Sequence, residues 1–431
     1  MLKRKRNIRK NAIFEVRKTK QYPYIDEENV RWYPLKVQNF NTSKQQSLIK
    51  YWKNLESTKT ALYINIPFCP YFCNYCVFVK YSSKKSIMER YVNCLLKELF
   101  LFEGCIDRFT TIWIGGGTPT ILSPKSFQIL LEHISSLISK KTEIVVEAEP
   151  TTISSKIINT LSNLNVTSIS LGVQTFCDEI LRILGRRYNS EYVAKKLSEL
   201  KEIGFKINID LMYRLPNQTK SMIEKEINYI SELQPDHISL FRLMIFKEAP
   251  LATMIEKGSI EYPSISDSVK IYFEYRRQLM ELGYNQYSVY YFAKSGKEIK
   301  YHLDRFRAPQ KDVLGIGCGS VSFFKNTLFF NTPNLEEYLK RISFKHFPIK
   351  KFRIVSTDDL MRRYFIFGVK MCKLIGGRHF YGPVIGILLL ETKFPRVVGD
   401  VGNAHTYRFP VRFKVIKGAN IGTVSYTHLT L

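Results

Sequence analysis

The sequence predicts an α/β chain whose centre is an open barrel of six strand-then-helix units. Three observations predict it. Six short apolar runs alternate with helix-length stretches between residues 61 and 250, and β-then-α units in series give parallel strands with right-handed crossovers. Runs such as Ile144-Val-Val146 are apolar on both faces, as strands covered by helices are. The least ordinary local sequences fall where strands end and helices begin, which is where parallel barrels gather their chemistry.

Residues 1–55 read as a basic arm and an N-terminal segment. Lys3, Arg4, Lys5, Arg6, Arg9 and Lys10 open it with no apolar stretch behind them, so it is no secretory signal. Tyrosines, Trp32 and Trp52 then mark a segment that packs onto the next domain. The barrel core is expected over residues 56–250. Its strands are predicted at Leu62–Ile66, Thr111–Ile114, Glu143–Ala148, Ser168–Val173, Lys206–Met212 and His237–Leu243. The helices are predicted at Lys84–Glu103, Pro124–Ser139, Ser154–Leu164, Asp178–Ile203 and Ser221–Leu233. A full eight-unit barrel would need two more units. The alternation changes after residue 250, so a partial TIM-type (β/α)₆ barrel fits.

Residues 251–373 are expected to form a small appended C-terminal α/β region. A helix over Ser266–Leu282 ends at Gly283, a suitable C′ glycine. Strands follow around Gln286–Phe292 and Ser320–Phe324, with Gly315-Ile-Gly-Cys-Gly319 as a tight loop and Asp359–Val369 as a helix. From about residue 374 to 431 glycine becomes denser and the lysine-rich habit fades.

With 45 % hydrophobic residues the chain buries a substantial core, which excludes wholesale disorder. The net charge of +27 suits anionic partners. No aromatic-flanked RNA signature accompanies it, so a solvated lysine-rich surface is preferred to nucleic-acid binding. Val384–Leu390 falls far short of the ~20 apolar residues of a membrane span. Eight cysteines in 431 residues are too sparse for a disulfide scaffold and point to a reducing cytoplasm.

Only Cys69, Cys73 and Cys76 cluster. The x₃ and x₂ spacing directly after the first strand places three thiolates around one face of a compact metal cluster. A [4Fe–4S] cube normally takes four cysteines, so three leave one iron open to another ligand. A structural zinc would need a fourth ligand that is not at hand. A Cys73/Cys76 redox pair would leave Cys69 surplus. Cys94, Cys105, Cys177, Cys318 and Cys372 read as plain buried residues.

Tyr63-x₃-Pro67-Phe68-Cys69-x₃-Cys73-x-Tyr75-Cys76 is followed by Gly115-Gly-Gly-Thr-Pro-Thr120 and Gly172-Val-Gln-Thr-Phe176. Leu184-Gly-Arg186 and Asp210-Leu-Met-Tyr-x-Leu-Pro216 come next, in one order. Over roughly residues 60–370 this resembles the radical S-adenosylmethionine superfamily, in the branch of oxygen-independent coproporphyrinogen III oxidase, haem chaperones and haem-degrading methyltransferases. The resemblance implies a [4Fe–4S] cluster on Cys69, Cys73 and Cys76 whose open iron chelates S-adenosylmethionine. Reductive cleavage would then give a 5′-deoxyadenosyl radical. It also implies that Gly116, Gly117 and Thr118 approach the methionine ammonium, glycine allowing close backbone contact. Glu147 would add hydrogen bonds, Gln174 and Asp210 would hold the ribose, and Arg186 would fork onto the carboxylate. Tyr75 would lie against the adenine and Tyr63 beside the cluster. An electron donor such as a flavodoxin or ferredoxin is implied.

Departures bear on the substrate. The oxidase's N-terminal Pro-Arg-x-Thr-Ser-Tyr-Pro stretch is missing, and Val77-Phe78 stands where the oxidase has a further cysteine. The chaperone's His-Asn-x-x-Tyr-Trp motif is represented only by His302-Leu-Asp-Arg-Phe306, so His302 reads as a satisfied histidine. Phe246-Lys-Glu-Ala-Pro-Leu251 is similar to the haem-degrading methyltransferases. Arg214 and Tyr188 replace a usual glycine and histidine.

Asp358-Asp-Leu-Met-Arg-Arg-Tyr364 resembles the start of the branch's C-terminal helical domain, which then breaks off truncated. Gly386-Ile-Leu-x-Leu-Glu-Thr-x-Phe-Pro-Arg396 and Gly399-Asp-Val-Gly-Asn403 resemble the N-terminus of aspartate/glutamate racemase-family proteins. Val424–Leu431 looks like translated adapter sequence, so residues after about 374 are expected to be a chimeric tail. The expected protein is a cytoplasmic radical S-adenosylmethionine enzyme, oxidoreductase or methyltransferase, acting on a tetrapyrrole. The alternative is a haem chaperone that binds and delivers haem without turnover.

Overall fold

Six strands run side by side, each parallel to the next. They are β1 (Thr60–Ile66), β2 (Phe109–Gly116), β3 (Glu143–Ala148), β4 (Ser168–Gln174), β5 (Lys206–Tyr213) and β6 (His237–Arg242). Each predicted strand is present within two residues of its expected ends. The computed structural model describes residues 37–56, 59–306 and 311–371, with short strands between Thr406 and Thr430. The basic arm with Trp32, Cys372 and the racemase-like residues 386–403 lie outside the described residues.

The helices that cover the sheet are α1 (Lys85–Phe100), α2 (Pro124–Ile134), α3 (Ser155–Asn163), α4 (Asp178–Ile183), α5 (Ser190–Glu202) and α6 (Lys220–Leu233). Side-chain oxygens of Ser123, Ser154, Asn189 and Thr219 cap α2, α3, α5 and α6 by accepting from backbone N–H groups one turn on. Leu95, Ile112, Phe127, Ile144, Ile169 and Val193 meet between the two layers and are almost fully buried.

One helix prediction is corrected. The stretch Asp178–Ile203 is two helices, because Gly185 turns at φ +75° and Asp178 accepts from the Ser190 N–H at 2.7 Å. Apolar residues keep helical spacing across the break, which is why the sequence reads as continuous. The loop so formed carries Arg186 to the strand ends.

The region after residue 250 extends the same sheet at both edges. It contains α7 (Pro250–Glu256), α8 (Ile265–Glu281), β7 (Asn285–Gln286), β8 (Tyr291–Ala293), α9 (Lys300–Phe306) and β9 (Asp312–Ile316). Then come β10 (Val321–Phe324), β11 (Thr327–Asn331), α10 (Leu335–Ser343), β12 (Ile349–Ile354) and α11 (Thr357–Lys370). The expected strand over Gln286–Phe292 is instead the hairpin β7–β8, joined antiparallel to β6. The expected loop Gly315–Gly319 is half strand: β9 pairs parallel with β1, so the parallel set has seven members. Strands β10, β11 and β12 continue antiparallel from β9, and Gln38–Asn39 closes that edge. Trp52, on the helix Gln45–Lys53, is fully buried among Phe102, Phe324, Phe329 and Phe347. Its indole donates to Thr327 Oγ1 at 3.0 Å, which satisfies the one polar group it buries.

Helix α9 lies across the foot of the barrel, where strands begin. Thr110 donates to Asp304 at 3.0 Å, and the Lys300 N–H donates to Glu143 at 2.7 Å. Tyr301 and His302 point up into the interior, beside Trp113 at 5.3 and 4.7 Å. No described helix is long and apolar enough to cross a membrane.

Candidate active site at the strand ends

The cysteine loop leaves β1 at Ile66 and is fixed on three sides. Phe68–Cys69 pairs with Tyr81–Ser82. The Asn74 N–H donates to Leu184 O at 3.0 Å, and Leu251 N–H donates to Asn74 O at 2.9 Å. Cys76 N–H closes a turn onto Cys73 O at 3.3 Å, while Lys80 donates to Cys76 O. This holds Cys69, Cys73 and Cys76 half-buried and unpaired.

Burial pushes the Cys69 thiol up to about 11, against a bond from Thr118 and helped by charge on the other two cysteines. The Cys73 thiol is raised too, first by burial and against the nearby Arg186. Among the described residues no three ligating side chains converge on one metal ion.

The end of β2 backs this loop. Gly116 sits at φ +114°, and a side chain there would strike Asn65. A Cβ on Gly117 would stand 2.9 Å from Cys69 Sγ. The N–H groups of Gly117 and Thr118 are committed to Ile66 O and Phe68 O, both at 2.8 Å. Those N–H groups are therefore not free to donate to a ligand, and what this backbone has left to offer an ammonium is its carbonyl oxygens.

Glu147, at the end of β3, accepts from Trp113 Nε1 at 2.6 Å and from Gly116 N–H at 3.0 Å. Burial, then the charge of Asp210, raises its carboxyl to about 7. Asp210 accepts from Ser170 at 3.0 Å and Asn208 at 2.9 Å. Burial raises its pKa as well, opposed by bonds from Ser239, Ser170 and Asn208. Gln174 ends β4 at φ +68°, a strained conformation of the kind that persists at functional sites.

Arg186 donates to Tyr75 OH at 2.5 Å and lies over the rings of Tyr75 and Tyr188. Its Nε is buried with no hydrogen-bond partner. The fold thus brings Arg186 and Tyr75 together. Tyr63 turns inward, its hydroxyl donating to Asn65 at 3.1 Å and its ring 6.3 Å from Tyr301.

Several residues at this end take no role from the sequence, although Arg214 and Tyr188 stand out there as departures. Tyr71 donates to Glu149 at 2.5 Å, with Arg187 over its ring at 4.7 Å. Tyr188 donates to Gly172 O at 2.6 Å. Arg214 stands at φ +61°, which explains why glycine is usual there; its guanidinium lies 4.4 Å from the Tyr262 ring. The second glutamate of Glu147-Ala-Glu149 was the available signal for Glu149.

His302 is corrected. It is only 4 % exposed, yet neither ring nitrogen has a hydrogen-bond partner. It stacks on Tyr291 at 3.8 Å, and burial, then His237, lowers its pKa well below the usual value.

The donor set fits a cluster and a zwitterionic ligand. Three thiols face one end, a buried guanidinium holds an unspent N–H, and a glycine-walled backbone allows close approach.

Comparison with known proteins agrees. The Radical SAM superfamily model matches residues 63–230. The heme chaperone HemW of Bacillus subtilis is 30 % identical over 79 % of this chain and 90 % of its own length. The oxygen-independent coproporphyrinogen III oxidase of Helicobacter pylori is 27 % identical over 77 % of each chain. The solved coproporphyrinogen III oxidase (HemN) of Escherichia coli superposes with TM-score 0.68 over 82 % of this chain and 83 % of that one, at 24 % identity. Members of the superfamily bind a [4Fe–4S] cluster and S-adenosylmethionine. The chain belongs to the radical S-adenosylmethionine superfamily, in the branch that contains haem chaperones and oxygen-independent coproporphyrinogen III oxidases.

Proposed function

We propose that the strand-end mouth binds the cluster and S-adenosylmethionine to act on a tetrapyrrole. The observation that carries this is the convergence of Cys69, Cys73 and Cys76 with Glu147, Arg186 and Asp210 at one end of the barrel. When bound, the pair supplies one-electron cleavage of the C5′–S bond and so a 5′-deoxyadenosyl radical that takes hydrogen from substrate. The residues bind, orient and exclude water.

Cys69, Cys73 and Cys76 would each hold one iron of the cluster. Arg186 would offer its unspent Nε–H to the methionine carboxylate, and the Gly116–Thr118 backbone would accept from the ammonium. Glu147 holds Gly116 in place and adds acceptor capacity beside it. Gln174 and Asp210 would take the ribose hydroxyls, and Tyr75 would lie along the adenine. Tyr63 lines the interior below the cluster. A flavodoxin or ferredoxin in the cytoplasm supplies the electron.

A second reading has its own support: the Bacillus subtilis relative is named a heme chaperone. On that reading the mouth binds haem for delivery, without oxidation or methylation of it. Burial of His302 against Tyr291 argues that this histidine is no haem ligand unless α9 shifts.

Anaerobic incubation of the reconstituted chain with S-adenosylmethionine, reductant and a porphyrinogen and haem panel, followed by mass detection, separates the two. A changed tetrapyrrole with 5′-deoxyadenosine supports the enzyme. Stoichiometric haem retention with no product supports the chaperone. Neither outcome on any tetrapyrrole contradicts both.

A further inference from the structure

At the foot of the barrel, opposite the cysteines, a cleft of about 810 Å³ opens between α9 and the starts of β1, β2 and β3. Its size falls within the range of small-molecule sites. Lys59, Arg108, Lys141 and Lys300 line it, all four exposed and none in an ion pair among the described residues. The carboxylates that would offset them are mostly spent. Asp304 is held by Lys311 at 3.2 Å and by Thr110. Glu143, beside the cleft, is held by Lys206 at 2.8 Å and by the Lys300 N–H. Asp107 alone remains exposed in the lining.

A second observation is independent of charge. Thr111 also lines the cleft, and its Oγ1 is fully buried without a hydrogen-bond partner. A buried hydroxyl left unsatisfied is costly, and a small parting of the lining side chains would open it to a ligand oxygen at the floor of the cleft.

We propose that this cleft binds a small polyanion bearing several phosphate or carboxylate groups. Four like charges around one concavity raise the local potential and the local anion concentration. The Arg108 guanidinium adds a forked donor suited to either group. Occupancy would clamp α9 through Lys300, while Tyr301 on the same helix reaches Trp113 and Tyr63 inside the barrel. The site would thus be coupled to the interior through one short helix. None of this rests on the function proposed for the mouth.

Calorimetric titration of the full chain with sodium tripolyphosphate, ATP and citrate tests it. Saturable binding at one ligand per chain is expected, weakened at least about tenfold in an R108Q/K141Q variant, as expected when two charge-assisted contacts are lost. A K156Q/K257Q variant, with two exposed lysines changed elsewhere, should bind unchanged. T111V should bind about threefold more weakly while melting no lower, because a buried orphan hydroxyl is removed. Tighter tripolyphosphate or ATP than citrate assigns a phosphate ligand, and the reverse assigns a polycarboxylate. No saturable binding, equal binding by R108Q/K141Q, or equal weakening by K156Q/K257Q would overturn the proposal.

Discussion

Two buried glutamates, Glu98 on α1 and Glu147 at the mouth, are both raised to about 7, and burial is the first cause in each. Their settings differ. Glu98 is 1 % exposed and accepts from Tyr338 at 2.6 Å, Asn331 at 2.6 Å and Gly317 N–H at 2.7 Å. It clasps α1 to α10 and to the turn after β9, and each donor has its partner. Glu147 has two donors, both from the second strand, and faces the carboxylate of Asp210 with the unsatisfied Arg186 nearby. Glu226 repeats the first pattern, held by Thr175 and by Tyr275 at 2.7 Å. A raised carboxyl alone therefore does not mark a site. Nor does a nearby orphan atom, since Asn331 Oδ1 beside Glu98 is also unpaired. The mark of the mouth is a raised carboxyl beside a second carboxylate, Asp210, which in turn lies near a buried guanidinium with an unspent N–H.

The largest expected effect is at the mouth. Replacing Cys69, Cys73 and Cys76 together by alanine should abolish the iron–sulfur absorption after anaerobic reconstitution while leaving the far-ultraviolet circular dichroism intact. A cluster that still forms would break the assignment.

Next in size is the clasp. Glu98→Ala leaves three donors unsatisfied in the core and should cost about 3 kcal/mol in urea unfolding. Glu147→Ala, at the half-open mouth, should cost about 1 kcal/mol, yet weaken S-adenosylmethionine binding. Equal losses of stability would erase the distinction between the two regions.

The pH dependence sharpens it. Folded Glu98 keeps its proton up to about pH 7, whereas its ordinary value is 4.5. The folded state therefore binds more protons in that window. Its contribution is full below pH 4.5 and is lost as pH rises through about 7, amounting to roughly 3 kcal/mol. Glu98→Gln should remove its share of the slope between pH 4.5 and 7, leaving the shares of Glu147 and Glu226, without touching ligand binding. The smallest effect expected is from Ser170→Ala, which removes one donor from Asp210. It should weaken S-adenosylmethionine binding by about threefold and cost about 1 kcal/mol of stability, because Asn208 Nδ2 loses its Ser170 acceptor as well.

The parallel barrel was legible because its strands are apolar on both faces and alternate with helix-length stretches. The site was legible because it is built from consecutive residues at strand ends: a cysteine run, a glycine run and single polar residues after apolar strands. The rest was hidden for physical reasons. Strand β9 carries Gly315 and precedes Gly317, so composition suggested only a turn. Helix α9 is seven residues long, too short to show periodicity. The break at Gly185 interrupts the backbone without interrupting the apolar spacing. Partnerships such as Arg186 with Tyr75, 111 residues apart, depend on tertiary packing, and no local pattern encodes them.

The most direct test of the central claim is electron paramagnetic resonance of the reduced, reconstituted cluster, with and without S-adenosylmethionine. If three cysteines leave one iron for that ligand, its addition should shift the signal of the wild-type chain, and Arg186→Ala should need more ligand for the same shift. A cluster that forms fully, yet gives the same spectrum with saturating S-adenosylmethionine, would contradict the account.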